Sequence, residues 1–129
     1  MKKVGIVGYG YVGKAMTEFF QEHYQVLVYD PAYSPEDIDT AFHDIVPHEN
    51  VSFVCKEKIN QCDYGIVCVP TPPADNGECD TSLVEDAVSW IETPLILIKS
   101  TVGVGTTARL KETYQKRIVF SPEYCGESS

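Results

Sequence analysis

The sequence predicts an α/β protein built on one doubly wound parallel sheet. Three observations carry this. Short, continuous apolar runs such as Tyr64-Gly65-Ile66-Val67-Cys68-Val69 and Leu95-Ile96-Leu97-Ile98 recur, as strands buried on both faces require. Amphipathic runs at helical spacing separate them. The first such junction is a glycine turn: Val4-Gly5-Ile6-Val7 enters Gly8-Tyr9-Gly10-Tyr11-Val12-Gly13, and a helical pattern from Lys14 to Phe20 follows at once.

Strand, glycine turn and helix in that order give a GxGxxG its meaning. Gly8 permits the tight turn, Gly10 lacks the Cβ that would block a pyrophosphate, and Gly13 lets helix and strand pack closely. Amides at the helix start, with the positive end of its dipole, then face the phosphates. A second strand, Val26-Leu27-Val28-Tyr29, ends in Asp30, where an acid would hold an adenosine ribose by its hydroxyls. The fold expected is therefore Rossmann-like, and the ligand a dinucleotide.

Composition sets the bounds. A chain of 129 residues with 43% hydrophobic and 22% charged residues suits one globular domain. At this size roughly 70% of the unfolded surface is buried, so no disulfide or metal is needed as a staple. The net charge of −9 argues against nucleic acid, which demands clustered Lys and Arg. No apolar run is long enough for a membrane span. Met1-Lys2-Lys3 leads straight into a strand, so no signal peptide is expected. Five cysteines, odd in number and without CxxC spacing, read as reduced thiols in a cytoplasmic protein.

Taken in order, Val12, Ala15, Met16, Phe19 and Phe20 should pack on the sheet, with His23 at the helix end as a partner of its dipole. From Pro31 to Asn50 the signal fades, although Ile38, Ala41, Phe42 and Ile45 are spaced to line a short helix. His43 and His48 lack the convergent spacing of a metal site, and no metal is expected. Val51 to Val54 reads as a third strand, with a short helix near Glu57 to Gln61 and a fourth strand from Tyr64. Cys55, Cys62 and Cys68 fit small buried hydrophobes. Pro70-Thr71-Pro72-Pro73 forces a stiff, extended exit. Ser82 with Glu85 makes a capping box, and Val84, Ala87, Val88 and Ile91 mark the buried face behind it. Leu95 to Ile98, a helix from about Thr106 to Gln115, and Ile118-Val119-Phe120 complete the alternation.

Ligands of such sheets sit beyond the carboxyl ends of the strands. The turn at Gly8, then Asp30, Pro70-Thr71, Ser100-Thr101 and Glu123 all fall there.

Four segments in order, Gly8 to Gly13, Val69-Pro70-Thr71-Pro72, Lys99-Ser100-Thr101-Val102 and Ser121-Pro122-Glu123, resemble the N-terminal NAD-binding domain of the UDP-glucose/GDP-mannose dehydrogenase family. Gly77 to Val84 is similar to the family's segment after its Thr-Pro pair. The resemblance covers nearly the whole chain and implies one NAD-binding domain over residues 1–129. It implies NAD contacts at Gly8, Gly10, Tyr11, Val12, Gly13, Asp30, Val69, Pro70, Thr71, Pro72, Pro73 and Ser100. Thr101 would help hold a catalytic water, Glu123 would act as general base, and Glu127 would close over the cofactor. That family oxidises a sugar C6 alcohol to a carboxylate in two NAD-dependent steps, through a thioester on a cysteine.

The departures bear on activity. The family's nucleophilic cysteine, catalytic lysine and most sugar-nucleotide contacts belong to central and C-terminal domains absent from this chain. Pro35 stands where a basic residue usually follows the ribose acid, Gly103 replaces a proline, and Tyr124-Cys125-Gly126-Glu127 departs from Phe-Leu-x-Glu. The expectation is the cofactor half of a nucleotide-sugar 6-dehydrogenase, catalytically incomplete alone. The alternative is a free-standing NAD-binding sensor without turnover. The partners expected are a dinucleotide, a nucleotide sugar, and a complementing chain or a homo-oligomer.

Overall fold

The computed structural model describes residues 2–32, 49–72, 80–100, 102 and 105–121. Its elements are β1 (Lys3–Val7), α1 (Tyr11–Phe20), β2 (Gln25–Tyr29), β3 (Val51–Phe53), α2 (Lys56–Ile59), β4 (Tyr64–Val67), α3 (Ser82–Trp90), β5 (Leu95–Ile98), α4 (Thr106–Tyr114) and β6 (Ile118–Phe120). The expected helix over 38–45 lies outside the described residues.

All five strand pairings are parallel, and the sheet runs β3-β2-β1-β4-β5-β6. The first half of the chain builds outward from β1 in one direction, and the second builds from β4 in the other. The order reverses between β1 and β4, which opens a crevice at their carboxyl ends.

Alternation along the strands divides the core into two layers. Val4, Ile6, Val26, Val28 and Ile66 pack toward α1, with Met16 and Phe20 above them. Val7, Leu27, Val67, Ile96 and Ile98 face the other way, against Ile59 of α2, Val84, Ala87 and Val88 of α3, and Leu110 of α4. Each fully buried Val, Leu or Ile among these contributes about 1.5–3 kcal/mol by burial. Truncating Ile66, which is buried beside β1, would cost about 2–5 kcal/mol.

The buried stripe of α1 differs from the one expected. Gly13 and Thr17 are its buried residues, whereas Phe19 is 70% exposed. Gly13 must sit against the turn below it, and this fixes the rotation of the helix. At about 100° per residue, Phe19 then lies roughly 120° away from that line. It rests edge-on against Phe20, with ring centroids 5.0 Å apart. Buried Thr17 satisfies its hydroxyl on the Gly13 carbonyl at 2.8 Å.

Two smaller corrections concern caps and thiols. The N-cap of α3 is Thr81, one residue earlier than the capping box placed it. Thr81 Oγ1 donates to Glu85 Oε2 at 3.1 Å, and Asp80 Oδ1 accepts from the Ser82 amide at 2.9 Å. The Asp80 carboxylate accepts from the Ser82 side chain as well as from its amide, and its charge complements the positive end of the helix. Cys62 and Cys68 are buried as expected, but Cys55 is exposed, at the N-cap of α2.

At its far end α3 is held by a residue from the α4–β6 connection. Lys116 Nζ donates to the carbonyls of Val88 at 2.7 Å, Ser89 at 3.2 Å and Ile91 at 2.8 Å. A cation on the last carbonyls of a helix satisfies acceptors the helix cannot and complements its dipole.

Candidate dinucleotide site at the carboxyl edge of the sheet

Register alone assembles the edge. Val7 pairs with Tyr29 on one side and Val67 on the other. Val67 pairs with Ile98, and Ile98 with Phe120. The next residue of each strand therefore stands in one row: Asp30, Gly8, Cys68, Lys99 and Ser121. Amide bonds extend the ladder into this row, from Gly8 to the Tyr29 carbonyl at 2.9 Å, Cys68 to Val7 at 2.8 Å, and Lys99 to Val67 at 2.9 Å.

The glycines fit three different demands. Gly8 has φ of +98°, and a Cβ there would come within 2.9 Å of the backbone of Cys68 and Val69. A Cβ on Gly13 would strike the Gly8 carbonyl. At Gly10 a Cβ would meet nothing within 4 Å, so the open space belongs to the cavity. Gly10 is the N-cap of α1, and no side chain caps that end. The first bond into the helix is made by the Lys14 amide to Gly10 at 2.9 Å. The amides of Tyr11, Val12 and Gly13 precede it and form an anion-binding helix start.

Asp30 is locked in place by backbone. Its Oδ2 accepts from the Tyr9 amide at 2.7 Å, and its Oδ1 accepts from the Ala32 amide at 2.9 Å. Each carboxylate oxygen keeps further acceptor capacity for a diol. Tyr9 itself is buried, its ring edge-on to Phe53 at 4.9 Å with Lys14 Nζ 5.7 Å from its centroid. The turn and the acid are thus one unit.

The opposite wall comes from the β4 and β5 exits. Ser100 is buried, and its hydroxyl donates to the Val69 carbonyl at 2.7 Å. It holds the Val69-Pro70-Thr71 segment to β5 and lines the cavity from beneath. Lys99 reaches across to β6, with Nζ 3.3 Å from Ser121 Oγ. Burial pushes the Cys68 thiol up to about 12, while the Lys99 charge pulls it the other way. Burial likewise raises Cys62 to about 11. Neither is a thiolate near neutral pH, so neither has the form a nucleophile needs.

Together these residues enclose a cavity of about 540 Å³. Of the residues that the resemblance implied as cofactor contacts, Gly8, Gly10, Tyr11, Val12, Asp30, Val69, Pro70, Thr71 and Ser100 line it. Gly13 sits beneath the turn, and Pro72 is placed just outside, its carbonyl accepting from the Asp80 amide at 2.7 Å. Pro73, Thr101, Glu123 and Glu127 lie outside the described residues. Tyr9, within the turn from Gly8 to Gly13, lines it too, and Pro31, Cys68, Lys99 and Leu83 line it without having been anticipated. Pro31, Cys68 and Lys99 were legible in principle, being one step from anticipated residues. Leu83 was not, since only the packing of α3 carries it there. Among the described residues no cluster of His, Cys, Asp and Glu is arranged to hold a metal, and no helix is long and apolar enough to cross a membrane.

The cavity fits a dinucleotide on its own geometry: open space at Gly10, uncapped amides at the helix start, and an anchored acid at the next strand. Parallel strands in this order with those features define a dinucleotide-binding Rossmann domain. The family model for the UDP-glucose/GDP-mannose dehydrogenase family, NAD binding domain, matches residues 33–129. The chain belongs to that family, as its NAD-binding domain.

The UDP-glucose 6-dehydrogenase of Streptococcus pneumoniae is 30% identical over 145 residues, a match covering 98% of this chain and 37% of the relative. A UDP-N-acetyl-D-mannosamine dehydrogenase from Methanococcus vannielii is 29% identical, again over 98% of this chain and 34% of the relative. The solved UDP-glucose dehydrogenase of Pyrobaculum islandicum superposes with a TM-score of 0.72 at 26% identity, covering all of this chain and 37% of that one. The chain thus spans little more than a third of the curated relatives it matches. The family match starts after the glycine turn, but these longer alignments include it.

Proposed function

We propose that this chain is the cofactor half of a nucleotide-sugar 6-dehydrogenase, selective for NAD(H) over NADP(H), and that it does not complete the oxidation alone. The observation that carries this is the anchored Asp30 carboxylate. Fixed by two amides, it offers acceptors to a ribose diol and repels a 2′-phosphate. Val69, Pro70 and Thr71 flank the same cavity, and the helix start takes the pyrophosphate. Thr101 and Glu123 would act on water, and Glu127 and Pro73 on the cofactor, as their match to the family implies. The whole chain, 1–129, serves as one cofactor domain, working in the reducing cytoplasm. A complementing chain would supply the sugar-nucleotide contacts and a thiolate, and a homo-oligomer is the other partner proposed.

Covalent capture of an aldehyde needs a nucleophile, and the described cavity thiol, Cys68, stays protonated. Calorimetric titration with NAD, NADP and UDP-glucose tests the reading, alongside an assay for NADH production. Binding of NAD without turnover of UDP-glucose or GDP-mannose is expected. Tighter binding of NADP than NAD would overturn the selectivity. Steady release of two NADH per sugar would overturn the claim of incompleteness.

A further inference from the structure

The two faces of the sheet are not covered alike. On the α1 side one register row runs Val28, Ile6, Ile66, Leu97 and Val119. Val28 and Ile6 are 0% exposed and Ile66 2%, but Leu97 is only partly buried and Val119 is 45% exposed. On the opposite side Ile96 and Ile118, a neighbouring pair, stay closed to the sheet edge at 0% and 1%. The direction of the crossovers explains the difference. Right-handed connections put α1 on one face while the chain builds toward β3, and α3 and α4 on the other while it builds toward β6. Among the described residues α1 is the one helix in the apolar layer on its side.

The flank of α1 that borders this open floor is itself apolar. Lys14 Nζ lies over the Tyr9 ring, which packs on Phe53, so the Lys14 side of the helix faces β3. Phe19 lies about 140° round the helix from Lys14, beyond the buried line of Gly13 and Thr17. It therefore shares the β4-facing flank with Met16, and it is 70% exposed. Met16 and Phe19 form the wall of a trough whose floor is Leu97 and Val119. Two strand spacings from β4 to β6 make that floor about 10 Å wide, the diameter of one helix. Parallel sheets are covered by helices on both faces.

Charge selects the occupant. The chain carries 19 acidic and 10 basic side chains, a net charge of −9, and Glu18 is exposed on the outer side of α1. A second copy in the trough would bring like charge together, whereas a helix with basic flanks is attracted. We propose that the trough is a docking surface for an amphipathic helix of a partner protein, apolar along one side and flanked by Lys or Arg. This goes beyond the cofactor reading and does not depend on it.

The test uses two synthetic helical peptides of about 18 residues, both with Leu along one face. The remaining positions are Lys in one peptide and Glu in the other. Fluorescence anisotropy with the full chain, in the absence of NAD, should show binding of the Leu/Lys peptide and not of the Leu/Glu peptide. Phe19→Ser should weaken that binding about tenfold and Val119→Ser about threefold, as loss of a large and a smaller apolar anchor. Thermal melts of both variants should stay close to the unaltered chain. Binding of the Leu/Lys peptide that survives both substitutions would show general attraction to an acidic surface and overturn the inference. Equal binding of the two peptides, or binding of neither, would overturn it as well. Sedimentation showing a dimer that both substitutions dissolve would give the trough to a second copy instead.

Discussion

The Asp30 carboxylate accepts the amide proton of Tyr9 at 2.7 Å. An acid at the end of one strand therefore fixes the glycine turn at the end of its neighbour. The residue expected to select the ribose also shapes the loop that receives the pyrophosphate, so the two functions are mechanically joined.

Asp30→Ala should consequently do two things at once. Loss of a charged acceptor from the ribose hydroxyls should weaken NAD binding by about 1.5–3 kcal/mol. Release of the Tyr9 and Ala32 amides should also lower the melting temperature. Calorimetry and a thermal melt on the same sample separate the effects. Undiminished NAD affinity would refute the ribose role.

Gly10 and Gly13 should respond in opposite ways. A side chain at Gly10 meets no protein atom nearby, whereas one at Gly13 collides with the Gly8 carbonyl. Gly10→Val is expected to leave the melting temperature nearly unchanged, apart from a small propensity cost, and to abolish dinucleotide binding. Gly13→Ala should destabilise the fold itself, since β1 and α1 can no longer approach. A Gly10→Val variant that binds NAD normally would place the pyrophosphate elsewhere.

Alkaline pH should expose the two buried thiols. Cys62 and Cys68 are raised from 9.0 to about 11 and about 12, chiefly by burial. The folded chain thus keeps its thiol protons where the unfolded chain has lost them. Their contribution is fully present below pH 9 and is lost as pH rises through 11 and 12. Between pH 8.5 and 10.5 the loss should be roughly 1–4 kcal/mol in urea unfolding. The Cys62→Ala, Cys68→Ala double variant should show a visibly flatter profile over the same range. An identical slope in both proteins would exclude the thiols as its source. In the native state a maleimide should modify exposed Cys55 well before either of them.

Lys116→Met removes a donor shared by three carbonyls at the end of α3 while keeping most of the apolar stem. Stability should fall by about 1.5–3 kcal/mol, as when a charged hydrogen-bond partner is lost. NAD affinity should stay unchanged, because α3 ends far along the chain from Leu83, its residue in the cavity. Hydrogen exchange should report earlier opening at Val88 to Ile91.

The sequence by itself determined the alternation of elements and the chemistry of the carboxyl edge. Apolar runs such as Leu95 to Ile98 fall where the strands do, because a strand buried on both faces has no polar option. Gly8, Gly10, Gly13 and Asp30 were legible because turn, clearance and charge each restrict the residue type at one position. Only the tertiary structure decided how α1 is rotated, since the close approach of Gly13 outranks the apolar spacing that had put Phe19 inside. It also decided that Asp80 and Thr81 begin α3, through charge and geometry that a four-residue pattern does not weigh. The row of Asp30, Gly8, Cys68, Lys99 and Ser121 was equally beyond the sequence. Strand order and register bring those residues together, and both are set by contacts between segments far apart in the chain.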